Sequence, residues 1–237
     1  MTSPSELSEQ QLDAFMSNPW IACLPQDDRD ELLLRTHLRN LPAGRCLFRR
    51  GGPPDGAYFV IDGVIRLSNT SADGHEALLN FYEPGNWIGE VSMIDGLPRT
   101  HDAVAHVPSL VLQITPAHFE ELLARYPGFS RQVLSLECLR LRAMLVAFSS
   151  FSTQSLEQRL AGRLLGLGMS FGSPGAQGLR IDLHLSQETM AQLIGATRQR
   201  VNQVLKKWEA EGMIEHRYGR VTVIDQAMLE AVAQGEA

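Results

Sequence analysis

The stretch that most restricts what this chain can become runs from Leu185 to Trp208 and reads as two short helices about a tight turn. Met190, Leu193 and Ile194 recur at helical spacing behind Ser186, a good N-cap. Gly195 stands where a helix ends in a left-handed residue, and Thr197 where the next helix is capped. In the second helix Val201, Val204, Leu205 and Trp208 are spaced to face inward, which leaves Arg198, Gln199, Asn202, Gln203 and Lys206 outward. Arg, Gln and Asn at the N-terminal end of a second helix suit base edges in a major groove. Ser186 and Gln187, at the start of the first helix, join this predicted DNA-facing set. An ordinary helical hairpin with a polar surface is the competing reading.

The net charge of −6 argues weakly against nucleic acid, but its distribution does not. Residues 1–154 hold 12 Lys and Arg against 18 Asp and Glu, whereas residues 155–237 hold 9 of each. Between Thr197 and Trp208 stand Arg198, Arg200, Lys206 and Lys207 with no acid. Local basic charge suffices for phosphate contact, and overall acidity discourages indiscriminate binding. No apolar run is long enough to span a bilayer, and the first residues lack the order of a signal peptide, so a soluble cytoplasmic protein is expected, without a membrane partner. Cys23, Cys46 and Cys138 are scattered and show no CxxC or paired Cys/His spacing, so no metal site is expected.

Residues 4–39 carry a helical pattern, broken by Leu41-Pro42-Ala43-Gly44. From Cys46 to Thr115, apolar runs at 57–61, 64–67, 77–81 and 110–114 alternate with Asp62-Gly63, Asp73-Gly74, Pro84-Gly85 and Asp95-Gly96 turns. That texture predicts an antiparallel barrel or jelly roll. A helical segment opens at Pro116, and a long helix is expected over 129–151. On it Leu134, Cys138, Leu141, Leu145 and Phe148 form a coiled-coil-like seam, expected to pair with its copy in a second subunit. A core helix packed within one chain would read similarly. A helix over 156–169, a flexible loop over 172–178 and a short strand over 179–183 follow. After the two-helix element, residues 214–224 predict a hairpin with Tyr218-Gly219-Arg220 at its tip, a wing whose Arg220 touches a phosphate. The expected fold is α+β, with N-terminal helices and a β jelly-roll domain over 1–128. A dimerisation helix over 129–154 and a winged helix–turn–helix over 155–237 complete it.

Within the β region, Gly89-Glu90-Val91 and Pro98-Arg99-Thr100 stand apart. Gly89 allows close backbone approach, Glu90 can accept from a sugar hydroxyl, and the Arg99 fork suits a phosphate, with Thr100 adding a hydroxyl. On the residues alone, a surface Glu–Arg ion pair is the commoner explanation of such a turn.

The order of β barrel, long helix and winged helix–turn–helix resembles the Crp/Fnr transcription regulators over nearly the whole chain. The segment from Gly89-Glu90 to Pro98-Arg99-Thr100 resembles the phosphate-binding cassette of cyclic-nucleotide-binding domains. The resemblance implies that Glu90 binds a ribose 2′-hydroxyl and Arg99 a cyclic phosphate, with Gly89, Val91 and Thr100 around them. It also implies a homodimer, a near-palindromic double-stranded DNA site, RNA polymerase as a partner and no enzymatic activity. The implied effector is a cyclic nucleotide, cAMP or cGMP, with c-di-GMP as an alternative, and no cofactor is required. Arg99→Ala is then expected to abolish the effector response with the fold intact.

Three departures limit the transfer. Where cAMP-binding members offer a Thr–Ser pair to the adenine, alignment through Leu141 and Arg159 places Met144 and Leu145, so Met144 becomes the expected neighbour of the base. His101 follows Thr100 where a small residue is usual. The pattern Arg-Glu-x-x-x-Arg is here Arg198-Gln199-Arg200-Val201-Asn202-Gln203. Arg198 is expected on guanine and Gln199 on adenine, giving a half-site altered inside. Competing functions are haem sensing through His75, His101 or His106, a regulator acting through protein partners, and a cupin-like enzyme, for which no His/His/carboxylate cluster is found.

Overall fold

Strand β3 (Ala57–Asp62) explains the layering of the N-terminal half: Ala57 to Ile61 are all buried because they serve two cores. Alternate side chains of a strand point to opposite faces, so Tyr58 and Val60 enter one apolar cluster and Ala57, Phe59 and Ile61 another. The computed structural model describes residues 7–71, 73–74 and 76–236. In it β3 belongs to a sheet of order β1 (His37–Leu41), β8 (Ser109–Ile114), β3, β6 (Trp87–Ile88), with β3 antiparallel to both neighbours. A second sheet runs β2 (Cys46–Phe48), β7 (Asp102–Ala105), β4 (Ile65–Thr70), β5 (Glu76–Tyr82), with β7 antiparallel to β2 and β4. Leu47, Phe48, Ile65, Leu67, Ile88 and Val111 fill the core that the two sheets share.

The other face of β3 is covered by helices. These are α1 (Glu9–Met16), α2 (Pro19–Ala22), α3 (Gln26–Arg35), α5 (Pro116–Arg125) and the start of α6 (Pro127–Thr153). Phe15, Trp20, Trp87, Phe119 and Phe129 interlock there, with Trp20 and Trp87 stacked at 4.7 Å. The Asn18 side-chain oxygen accepts from Trp87 Nε1 at 2.9 Å and from the Trp20 backbone at 3.2 Å, so one residue caps α2 and satisfies a buried indole. The helical pattern expected to reach residue 39 stops at Arg35. Thr36 turns to an extended backbone and residues 37–41 pair with β8 instead. Residue 4 lies outside the described residues.

Two compact units emerge, one of Met1–Asn69 with Leu79–Arg142 and one of Thr70–Leu78 with Ala143–Ala237. The second holds α7 (Leu156–Phe171), α8 (Gln187–Ile194), α9 (Arg198–Ala210) and α10 (Gln226–Gln234). Its sheet has the order β11 (Ile214–Arg217), β12 (Arg220–Val223), β10 (Gly178–Ile181), β9 (Gly172–Gly175). The expected flexible loop is corrected here: Gly172–Gly175 is a strand whose backbone pairs with β10. Glycine, serine and proline give no side-chain periodicity, so only the ladder defines it. Helix α10 was not expected; Asp225 caps it, and Leu229 and Val232 bury its inner face.

Helix α6 buries only Phe129 and Val133. The seam residues Leu134, Leu141, Leu145 and Phe148 are 56–74% exposed, and Cys138 is exposed, so the seam is not a core face within the chain. No described helix is long and apolar enough to cross a membrane.

Candidate functional site

In the first unit β6 runs into Gly89 at φ +85°, and then into α4 (Val91–Asp95). A Cβ on Gly89 would stand 2.7 Å from Arg99 Nη1, so the backbone approach requires glycine on steric and conformational grounds. The Arg99 side chain is 1% exposed. Its Nη1 donates to the Gly89 carbonyl, and its Nη2 donates to Asp55 Oδ1 and the Gly56 carbonyl, both at 2.6 Å. The guanidinium lies over the Phe48 ring at 4.3 Å. Of five N–H groups this leaves one on Nη1 and the buried, unpartnered Nε–H. Asp55 is held in turn by the Tyr58 hydroxyl at 2.7 Å, and burial together with that carboxylate raises the Tyr58 pKa.

Glu90 is 3% exposed. Its Oε1 pairs with Arg140 of α6, while Oε2 is buried without a partner. Arg140 also donates to the Trp87 carbonyl and lies over the Tyr82 ring at 5.1 Å. Burial is the largest influence and works against its charge, but Glu90, Tyr82 and Glu137 together outweigh it, leaving its pKa raised. One turn earlier, Glu137 Oε1 stands 3.8 Å from Arg140 Nη1 and has no hydrogen-bond partner. Val91 opens α4 and is 37% exposed. Thr100 is exposed, and its hydroxyl meets His101 Nδ1 at 2.7 Å. His101 Nε2 is buried and unpartnered; burial, opposed by Glu90 and reinforced by Arg99 and Arg140, lowers its pKa.

Gly89, Glu90, Val91, Arg99 and Thr100 thus lie in one unit. Met144, 67% exposed, lies on the part of α6 that belongs to the other. The surface Glu90–Arg99 ion pair is excluded, since both side chains are buried and each has a different partner. Arg99 ties three segments together, so its side chain has a structural role as well. Sequence reading missed Asp55, Glu137 and Arg140, although a charged Arg140 beside the apolar seam was a signal. His75 lies outside the described residues. Among those described, no group of three or more His, Cys, Asp or Glu is placed to hold a metal ion.

In the second unit Ser186 accepts from the Thr189 backbone at 3.0 Å, and Gly195 ends α8 at φ +64°. Thr197 caps α9 through the Arg200 backbone. Val201, Val204, Leu205 and Trp208 are buried, while Arg198, Gln199, Gln203 and Lys206 are exposed. Asn202 is half-buried, and its Oδ1 accepts from Gln187 Nε2 at 2.9 Å. Tyr218 and Gly219, at φ +53° and +72°, form a two-residue hairpin turn followed by Arg220. Arg220 is 60% exposed and 3.7 Å from Asp182 Oδ1, which Arg180 holds more closely at 2.6 Å.

The chain matches two families, one described as the cyclic nucleotide-binding domain, over residues 38–126, and one as the Crp-like helix-turn-helix domain, over residues 158–232. Fold and matches together define a transcription regulator that joins a cyclic-nucleotide-binding-type domain to a DNA-binding helix–turn–helix. It is 30% identical over 80% of its length to the CRP-like cAMP-activated global transcriptional regulator of Mycobacterium tuberculosis, of which the match covers 85%. It is 29% identical over 93% of its length to the cyclic AMP receptor protein of Thermus thermophilus, covering 99% of that protein. A crystal structure of a CRP-family transcriptional regulator from Thermus thermophilus superposes with a TM-score of 0.71 at 24% identity, over 83% of this chain and 96% of that one. The chain belongs to the Crp/Fnr family of transcription regulators.

Proposed function

We propose that this regulator is a homodimer whose affinity for DNA is set by a cyclic nucleotide held at Glu90 and Arg99. One observation carries the effector reading: two oppositely charged side chains, both nearly fully buried on one short segment, each keep an unused polar atom, Glu90 Oε2 and Arg99 Nε. A ribose 2′-hydroxyl donating to the first and a phosphate accepting from the second would satisfy both. Gly89, Val91 and Thr100 line this pocket. Because Arg140 joins Glu90 to α6, a hydroxyl on Glu90 would alter how that helix is held, and differential contacts of this kind shift a two-state equilibrium. Two relatives named for cAMP make it the first nucleotide to test, ahead of cGMP and c-di-GMP.

The exposed apolar seam of Leu134, Cys138, Leu141, Leu145 and Phe148 supports pairing with a second copy. Two recognition helices about a two-fold axis would read half-sites about 34 Å apart in a near-palindromic site. Arg198, Gln199, Asn202 and Gln203 face bases. Ser186, Gln187, Thr197, Lys206 and Arg220 hold the backbone, and RNA polymerase is the partner in the cytoplasm. The effector domain spans 1–128, the dimerisation helix 129–154 and the DNA-binding domain 155–237.

The test measures melting temperature and affinity for a palindromic duplex with and without cAMP, cGMP and c-di-GMP. One of them should raise both, the DNA affinity by about tenfold or more. If none moves either quantity, the effector reading is wrong. A second reading is favoured by Asp55, which already occupies Arg99 from within. In that reading DNA binding needs no nucleotide and weakens on Asp55→Ala.

A further inference from the structure

Glu90 Oε2 and Glu137 Oε1 are both buried acceptors without a donor, and the two residues share one cation, Arg140. Two carboxylates against one guanidinium leave an excess negative charge on a buried Glu90 and a half-buried Glu137, and the simplest remedy is a proton held between them. We propose that Glu137 is a second carboxyl of the effector site, which shares one proton with Glu90 and couples effector binding to proton uptake. The coupling rests on the effector reading above; the shared proton does not.

The groups around the pair come from every element packed on it. Glu90 stands at the start of α4, and Glu137 and Arg140 are on α6. Tyr82 on β5 lies against Arg140, and His101, beside Arg99 before β7, is within the electrostatic reach of Glu90 and Arg140. Burial and the Glu90 charge push the Glu137 carboxyl up to about 7 against the pull of Arg140, so it titrates at neutral pH. With Glu137 ionised, Glu90, Glu137 and Asp55 oppose Arg99 and Arg140, and a cyclic phosphate would add a further negative charge. An incoming anion therefore favours the protonated form of Glu137, so binding takes up protons and weakens as pH rises.

The sign for the free protein also follows. A carboxyl raised in the folded state holds a proton that the unfolded chain releases between about pH 4.5 and 7, so its contribution to stability falls as pH rises through that window. Glu137→Gln keeps a donor for one lone pair of Glu90 Oε2, leaves the other open to a ribose hydroxyl, and cannot titrate.

Melting curves of the full chain from pH 5 to 8, wild type against E137Q, read the shared proton with no effector present. The difference in melting temperature should change steadily between pH 5 and 7 in favour of E137Q and level off above. A difference independent of pH overturns the proposal. Calorimetry with cAMP in two buffers of unlike ionisation enthalpy then reads the coupling. Wild type should take up protons near pH 7.5 and bind about fivefold more weakly at pH 8 than at pH 6, and E137Q should do neither. Binding without proton uptake, or an unchanged slope in E137Q, overturns it. If cAMP, cGMP and c-di-GMP all give no heat while the melting difference is as expected, the effector reading and the coupling fall and the shared proton stands.

Discussion

The surroundings of Glu90 and the outer face of α9 treat charge in opposite ways. In the first, Arg99, Glu90 and Arg140 are 20% exposed or less and are committed to partners inside the chain. In the second, Arg198 and Lys206 are exposed, and among the described residues neither is engaged in an ion pair. Desolvated charges are costly to strand, so each one fixes the segments it joins. Exposed charges keep their water and give up little when a polyanion replaces their counterions. One region is built to hold a geometry and the other to exchange partners.

Four changes would break or sharpen that contrast. The largest effect is expected from Leu141→Glu with Leu145→Glu, which places charges on the exposed seam. If a second copy covers it, the solution mass halves and affinity for a palindromic site falls by about 10²–10⁴-fold, since each recognition helix then binds alone. An unchanged sedimentation coefficient would show that the seam is not the interface. Next comes Arg99→Ala, expected to cost about 2–4 kcal/mol in urea unfolding, below the full penalty for a broken buried pair because Asp55 is 44% exposed. A loss under about 1 kcal/mol would mean that Arg99 does not bind its three segments together. Arg198→Ala should leave unfolding within about 0.5 kcal/mol but cost about 1–3 kcal/mol on the preferred DNA site and relax one base pair. Equal loss on every sequence would reduce Arg198 to a phosphate contact. The smallest effect belongs to Lys206→Ala, which should lower the slope of log affinity against log salt by about one; an unchanged slope places Lys206 away from the DNA.

What was legible in the sequence divides along the same line. The inward and outward residues of α9 separate cleanly because they belong to one amphipathic helix, and local periodicity is enough to find them. Strand β3 was legible for a related reason, its continuous apolar run marking a strand buried on both faces. Strands β2, β6 and β7 have two to four residues each, too few for a period, and β2 is further broken by a register shift. Between β6 and β7, Glu90 and Arg99 were found through resemblance to a cassette. Their partners Asp55 and Arg140 lie 44 and 50 residues away along the chain, where no local pattern joins them. Glu137 was invisible for the same reason, since its unusual titration arises only where α6 meets Glu90.

The hydrogen bond from Gln187 to Asn202 restricts the vocabulary of α9. With its oxygen engaged by Gln187, the Asn202 amide presents mainly its NH₂ to whatever approaches, so it offers donors more readily than the donor–acceptor pair that reads adenine. Purine N7, guanine O6 and thymine O4 suit such a group. The first helix thereby edits what the second can say, and Gln187→Ala should restore to Asn202 the adenine preference that its residue type alone would predict.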